Sequence, residues 1–148
     1  MQADIDYLTN WVFESGKSFN IDKCWSVTFG QPIKHEDGRS YGIKGVSIPH
    51  KNIFKDLGVT VSSPLSFNSF IDDVVGRAFR RLGLIYKLFV SKNPKTIVRL
   101  YKSFVRPILE YASVIWNPHT QTNTNKIERV QKRLCRMFPE VRHLSYRE

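Results

Sequence analysis

Hydrophobic and polar positions follow two different periods along this chain, and the change falls near Pro64. Upstream, Ile5, Leu8 and Val12, with Tyr7 and Trp11 beside them, recur at helical spacing over residues 2–14. Gly16 stands where a helix C-terminus wants a residue free to turn left-handed. Three short runs of β type follow, CWSVTFG, SYGIKGVSI and KDLGVTVS, with QPIKHEDGRS at residues 31–40 as the turn between strands. The pattern predicts one helix followed by a small antiparallel sheet, too small to stand as a domain alone.

Downstream of Pro64 the apolar spacing becomes i, i+3, i+4. Phe67, Phe70, Ile71, Val74, Val75, Ala78, Phe79, Leu82, Ile85 and Phe89 form the face of a first helix, with Ser66 as its expected N-cap and Asp72 and Asp73 near its positive end. A second helix starts at Pro94 behind Asn93 and runs to Asn117-Pro118. Its face is Ile97, Val98, Tyr101, Phe104, Val105, Ile108, Ala112 and Ile115, and Pro107, which has no N–H for the Ser103 carbonyl, should bend it. A third helix covers residues 123–138, with Ile127, Val130, Leu134, Met137 and Phe138 apolar and Pro139 as its stop. The expected fold class is α+β: a helix and small antiparallel β-sheet over residues 1–63, then a three-helix bundle over residues 64–148.

Charge sharpens that division. The 148 residues carry a net charge of +10, with 41% hydrophobic and 13% aromatic residues, enough apolar material for a core. Residues 1–63 hold seven Lys/Arg and seven Asp/Glu, whereas residues 64–148 hold sixteen and six, so the whole excess lies in the helical part. There the basic residues form rows. Arg77, Arg80 and Arg81 lie on the first helix. Lys95, Arg99, Lys102 and Arg106 lie on the second, and Lys126, Arg129, Arg133 and Arg136 on the third. Like charges at i, i+4 are mildly destabilising. Three such rows with few acids therefore point to a phosphate-rich partner, RNA or DNA, contacted through its backbone. A membrane surface is disfavoured because the apolar faces are needed for one another.

Other chemistry is sparse. Asp4 and Asp6, at i and i+2 on a helix, do not share a face and do not make a metal pair. His35, His50, His119 and His143 have no partner at ligand spacing, and Cys24 and Cys135 lie far apart and read as reduced thiols. No Walker A loop, nucleophile elbow or glycine-rich phosphate loop occurs. The acidic, amphipathic N-terminus is no signal peptide and no apolar run reaches about 20 residues, so the expected location is the nucleus or cytoplasm.

Three blocks in order, DIDYLTNWVFESGKSFNIDKCWSVTFG, FKDLGVTVSSPLSFNSFIDDVVGRAFRRLGLI and LYKSFVRPILEYASVIWNPHTQTNTNKIERVQKRL, resemble the downstream part of reverse transcriptases of non-LTR, LINE-type (jockey-like) retrotransposons. The resemblance implies that residues 1–63 are the end of the polymerase palm and residues 64–148 its thumb and connection, laid along a template-primer RNA/DNA duplex. GKSFNIDKC resembles the palm motif D, with Lys23 at its lysine, a general acid or charge clamp for leaving pyrophosphate. Phe19 and Ile21 depart from the motif's usual Leu and Pro. FKDLGVTVSS resembles the primer-grip hairpin, with Leu57 and Gly58 as its primer-grip-like residues and Gly58 letting backbone approach backbone or nucleic acid closely.

In that family the metal-binding aspartates lie upstream of a helix like ADIDYLTNW. The expectation is thus a fragment without them, inactive as a polymerase by itself and needing the missing palm and fingers as partner. Mg2+ is expected only for the full-length enzyme. The alternatives are a non-enzymatic nucleic-acid-binding module or the product of a decayed element.

Overall fold

The structure, a computed structural model, describes residues 1–30, 40–89 and 93–138. The expected turn at residues 31–40, Ser40 excepted, and Pro139 lie outside them. The architecture is α+β, and the chain divides into two compact units, Met1–Ser66 and Phe67–Glu148.

In the first unit, α1 (Gln2–Glu14) ends where Gly16 takes φ +69°. The Lys17 N–H reaches the Val12 carbonyl and the Gly16 N–H the Phe13 carbonyl, both at 3.0 Å, which is a Schellman turn. A single 3-10 turn follows at Ile21–Lys23. Two hairpins complete the unit: β1 (Gly42–Ile43) with β2 (Val46–Ser47), and β3 (Ile53–Asp56) with β4 (Val59–Ser62), both antiparallel. Each turns through two residues of positive φ, Lys44-Gly45 and Leu57-Gly58, the type I′ geometry that matches strand twist.

Three expectations fail in this unit. The strands form two separate two-stranded ladders rather than one sheet. CWSVTFG is not a strand: it makes one isolated parallel bridge, Ser26 to His50, and Pro49, without an N–H, cannot extend it. The face of α1 also differs. Tyr7, Leu8 and Trp11 are exposed, and the buried residue is Thr9, at 7% exposure. The narrow first hairpin meets α1 along a different line. Gln2 exchanges two hydrogen bonds with the Gly42 backbone (2.9 and 3.1 Å), while Thr9 and Val12 share a small cavity with Ile43.

The second unit contains α2 (Asn68–Leu88), α3 (Pro94–Phe104), α4 (Arg106–Glu110), α5 (Ser113–Trp116) and α6 (Gln121–Cys135). Phe70, Ile71, Val74, Ala78, Leu82 and Ile85 are the buried positions of α2, all from the expected face. Ser66 does not cap it. Its N–H instead bonds the Ser62 hydroxyl at 3.1 Å, and α2 starts behind Phe67 without a side-chain cap. Asp72 and Asp73 lie past its first turn. Asn93 does cap α3, its side chain accepting from the Lys95 N–H at 3.0 Å, with Pro94 in the first turn.

The expected second helix is broken rather than bent. Pro107 cannot donate to the Ser103 carbonyl, α3 ends at Phe104, and a new helix begins at Arg106. Ala112, at φ +53°, breaks the chain again before α5. These breaks turn Phe104 and Ile115 to solvent, although their spacing had placed them inward. Val105, at the first break, is fully buried. The core joins Ala78, Leu82 and Ile85 of α2 to Ile97, Val105, Val130, Leu134 and Phe138. At the start of α2, Phe70 meets the edge of Trp116 at 5.7 Å, and the indole N–H donates to the Tyr111 carbonyl at 2.7 Å.

Two polar contacts fix the direction of α6 against α2. Asn123, buried, donates to the Asn68 side chain at 2.7 Å, and Lys126 pairs with Asp72. Both lie near the starts of their helices, while Tyr86 near the end of α2 shares a cleft with Arg133, Arg136 and Met137. The two helices therefore run parallel, with their C-terminal ends side by side.

Candidate nucleic-acid interface

The basic rows divide into cations held by carboxylates and cations that are not. Arg77 pairs with Asp73 one turn earlier at 3.0 Å, and Lys126 reaches across to Asp72. Arg106 pairs with Glu110, whose hydrogen bond and then charge raise the guanidinium's pKa above its ordinary value. Lys132, between Arg129 and Arg136, is within 3.5 Å of Glu128. Such exposed pairs add little stability, but each neutralises a charge that would otherwise meet an anion.

Among the described residues no carboxylate pairs with Arg80 and Arg81 on α2, Lys95, Arg99 and Lys102 on α3, or Arg129, Arg133 and Arg136 on α6. All eight are exposed. The four-residue row on the expected second helix is shortened to three, because the break at Val105 puts Arg106 on α4. Lys87, exposed in the last turn of α2 two turns on from Arg80, extends that row although spacing did not single it out. The cleft of Tyr86, Arg133, Arg136 and Met137, of about 550 Å³, needed the parallel pairing of α2 and α6 to be seen.

In the first unit, Lys23 closes the 3-10 turn with its side chain exposed. It stands at an open hollow of about 280 Å³ lined also by Ile5, Leu8, Phe19, Cys24, Trp25, Ile43 and Ile48. Leu57 and Gly58 form the tip of the β3–β4 hairpin, at φ +44° and +87°, and Leu57 is 83% exposed. An exposed apolar side chain in a left-handed conformation is costly for a non-glycine residue. Trp25, Phe29 and Phe54 cluster beneath, with the Lys51 ammonium 4.5 Å from the Trp25 ring. Spacing gave no sign of that cluster, which draws on two separated segments, residues 25–29 and 51–54.

The residues present do not fit a divalent metal. Among the described residues no group of three or more His, Cys, Asp or Glu converges. Asp4 is held by the N-terminal amine at 2.9 Å, which by hydrogen bond and then charge lowers its pKa below the ordinary value. Asp72 and Asp73 are occupied by Lys126 and Arg77. Nor is any described helix long and apolar enough to cross a membrane.

The α+β chain thus carries, in its helical unit, cations with no carboxylate partner among the described residues. Over 139 residues, 92% of this chain, it is 28% identical to the RNA-directed DNA polymerase from mobile element jockey of Drosophila funebris. It is 27% identical over the same share to its counterpart of Drosophila melanogaster, and 24% identical over 88% to the probable RNA-directed DNA polymerase from transposon X-element of that species. The resemblance to non-LTR retrotransposon reverse transcriptases is thereby borne out over nearly the full chain. The chain spans about 15% of the length of the jockey relatives. No family model and no solved structure matches it.

Proposed function

We propose that this chain corresponds to the end of the palm and the thumb of a retrotransposon reverse transcriptase, and that its helical unit binds the template-primer RNA/DNA duplex during target-primed reverse transcription. The observation that carries the reading is the set of eight exposed cations on α2, α3 and α6 without a described carboxylate partner. Contacts of this kind position a duplex by its backbone and read no sequence. Lys23 would serve as a charge clamp or proton donor for a leaving pyrophosphate, and the Leu57-Gly58 tip would approach the primer strand. The carboxylates that hold Mg2+ in such a polymerase would come from elsewhere than the described residues, because none of these converge on a metal.

Titrating an RNA/DNA hybrid with the chain at several salt concentrations tests this. Contact with about 4 to 6 phosphates gives a log-log slope of roughly −3.5 to −5.5. A response that is flat in salt would sink the reading. Nucleotide incorporation by the purified chain with Mg2+ is expected to be nil, and genuine incorporation would show that the chemistry does not need outside carboxylates.

A further inference from the structure

The cleft between the ends of α2 and α6 differs in kind from the rows of cations. It is concave, about 550 Å³, and within the range of small-ligand sites. Two guanidiniums line it, Arg133 and Arg136, together with the Tyr86 ring and the Met137 thioether. The parallel helices bring two C-terminal dipole ends here, each worth roughly half a negative charge. One reading is therefore that the arginines only offset those dipoles. The magnitudes say otherwise, because two full positive charges exceed the sum of the two ends. Lys87, in the same last turn of α2, adds a third nearby in the chain. Lys132 and Glu128 form their own pair and leave that balance unchanged.

A convex row of cations suits a duplex backbone. A hollow lined by two guanidiniums, an aromatic ring and a polarizable thioether suits a different object. From this we infer that the cleft takes one nucleotide of an unpaired strand, its phosphate on Arg133 and Arg136 and its base against Tyr86 and Met137. The inference rests on the duplex-binding reading and adds to it a single-strand site at one end of the bundle, where a strand leaving the duplex would be held.

The test compares two probes with the full chain: a blunt RNA/DNA hybrid, and the same hybrid carrying an extension of about ten unpaired ribonucleotides. Fluorescence anisotropy at fixed salt is expected to show roughly tenfold tighter binding of the extended probe, the scale of stacking one base on an aromatic ring. R133Q/R136Q, which also removes two duplex contacts and so weakens both probes, should leave the extended probe no tighter than the blunt one, and Y86A should abolish the extension gain without removing a charge. Circular dichroism melts would establish that both variants fold, and the wild-type comparison of probes needs no variant. Equal binding of the two probes overturns the cleft and leaves the duplex reading standing, as does an extension gain that survives both variants. Binding of neither probe in a salt-dependent way removes both.

Discussion

Leu57 sits at φ +44° with its side chain 83% exposed, where a type I′ turn prefers Asn before Gly. A turn selected for stability alone would not place leucine there, so L57N separates stability from function. It should stabilise the hairpin by about 0.5–1 kcal/mol, read in urea unfolding, and weaken hybrid binding if the tip meets the primer. Unchanged binding would reduce Leu57 to a tolerated turn residue. Gly83 offers the opposite case. It lies inside α2 with nothing within 4 Å of where a Cβ would stand. G83A should therefore raise stability by about 0.5–1 kcal/mol, a Tm increase of a few degrees, without altering binding. These two positions show what single residues reveal: the sequence offered Gly58 as a point of close backbone approach, whereas its place in the turn and the strain at Leu57 were visible only in the dihedral angles.

The segment with Pro107 is decided by elements rather than residues. Apolar spacing continued across it, so sequence reading gave one long bent helix. The structure gives α3, α4 and α5, because the missing N–H at Pro107 and the left-handed Ala112 interrupt the hydrogen-bond ladder twice. The breaks let Val105 enter the core and fold Trp116 back onto Phe70, where it is 2% exposed. W116A should cost about 3–5 kcal/mol, through the lost volume and the lost bond to the Tyr111 carbonyl. Since domains are stable by only about 5–15 kcal/mol, thermal unfolding should shift sharply downward. The rows of charge obey the same logic. Regular spacing put Arg106 in line with Lys102, and the break at Val105 takes it out.

At the scale of the molecule, the electrostatic division is the functional statement. All the excess positive charge lies in residues 64–148, and the structure sorts those cations by whether a carboxylate holds them. Neutralising Lys95, Arg99 and Lys102 together with glutamine should lower the salt slope of hybrid binding by about 1 per lost contact. K126Q, which breaks a pair with Asp72 across the bundle, should change the slope far less and register mainly as a small loss of stability. If the paired lysine weakens the slope as much as the α3 cations do, the division into held and unheld charges has no bearing on binding.

Sequence by itself determined the α+β class, the buried face of α2, the Asn93-Pro94 and Gly16 boundaries, and the resemblance to retrotransposon polymerases. Each of these depends on local chemistry, on a period or a cap, or on residues in a fixed order. Tertiary structure decided which face of α1 is buried, where the second helix breaks, which cations have no carboxylate partner among the described residues, and that α2 and α6 run parallel with a cleft at their ends. Those follow from contacts between residues far apart in the chain, Gln2 with Gly42 and Lys126 with Asp72 among them, and no local pattern encodes such partners.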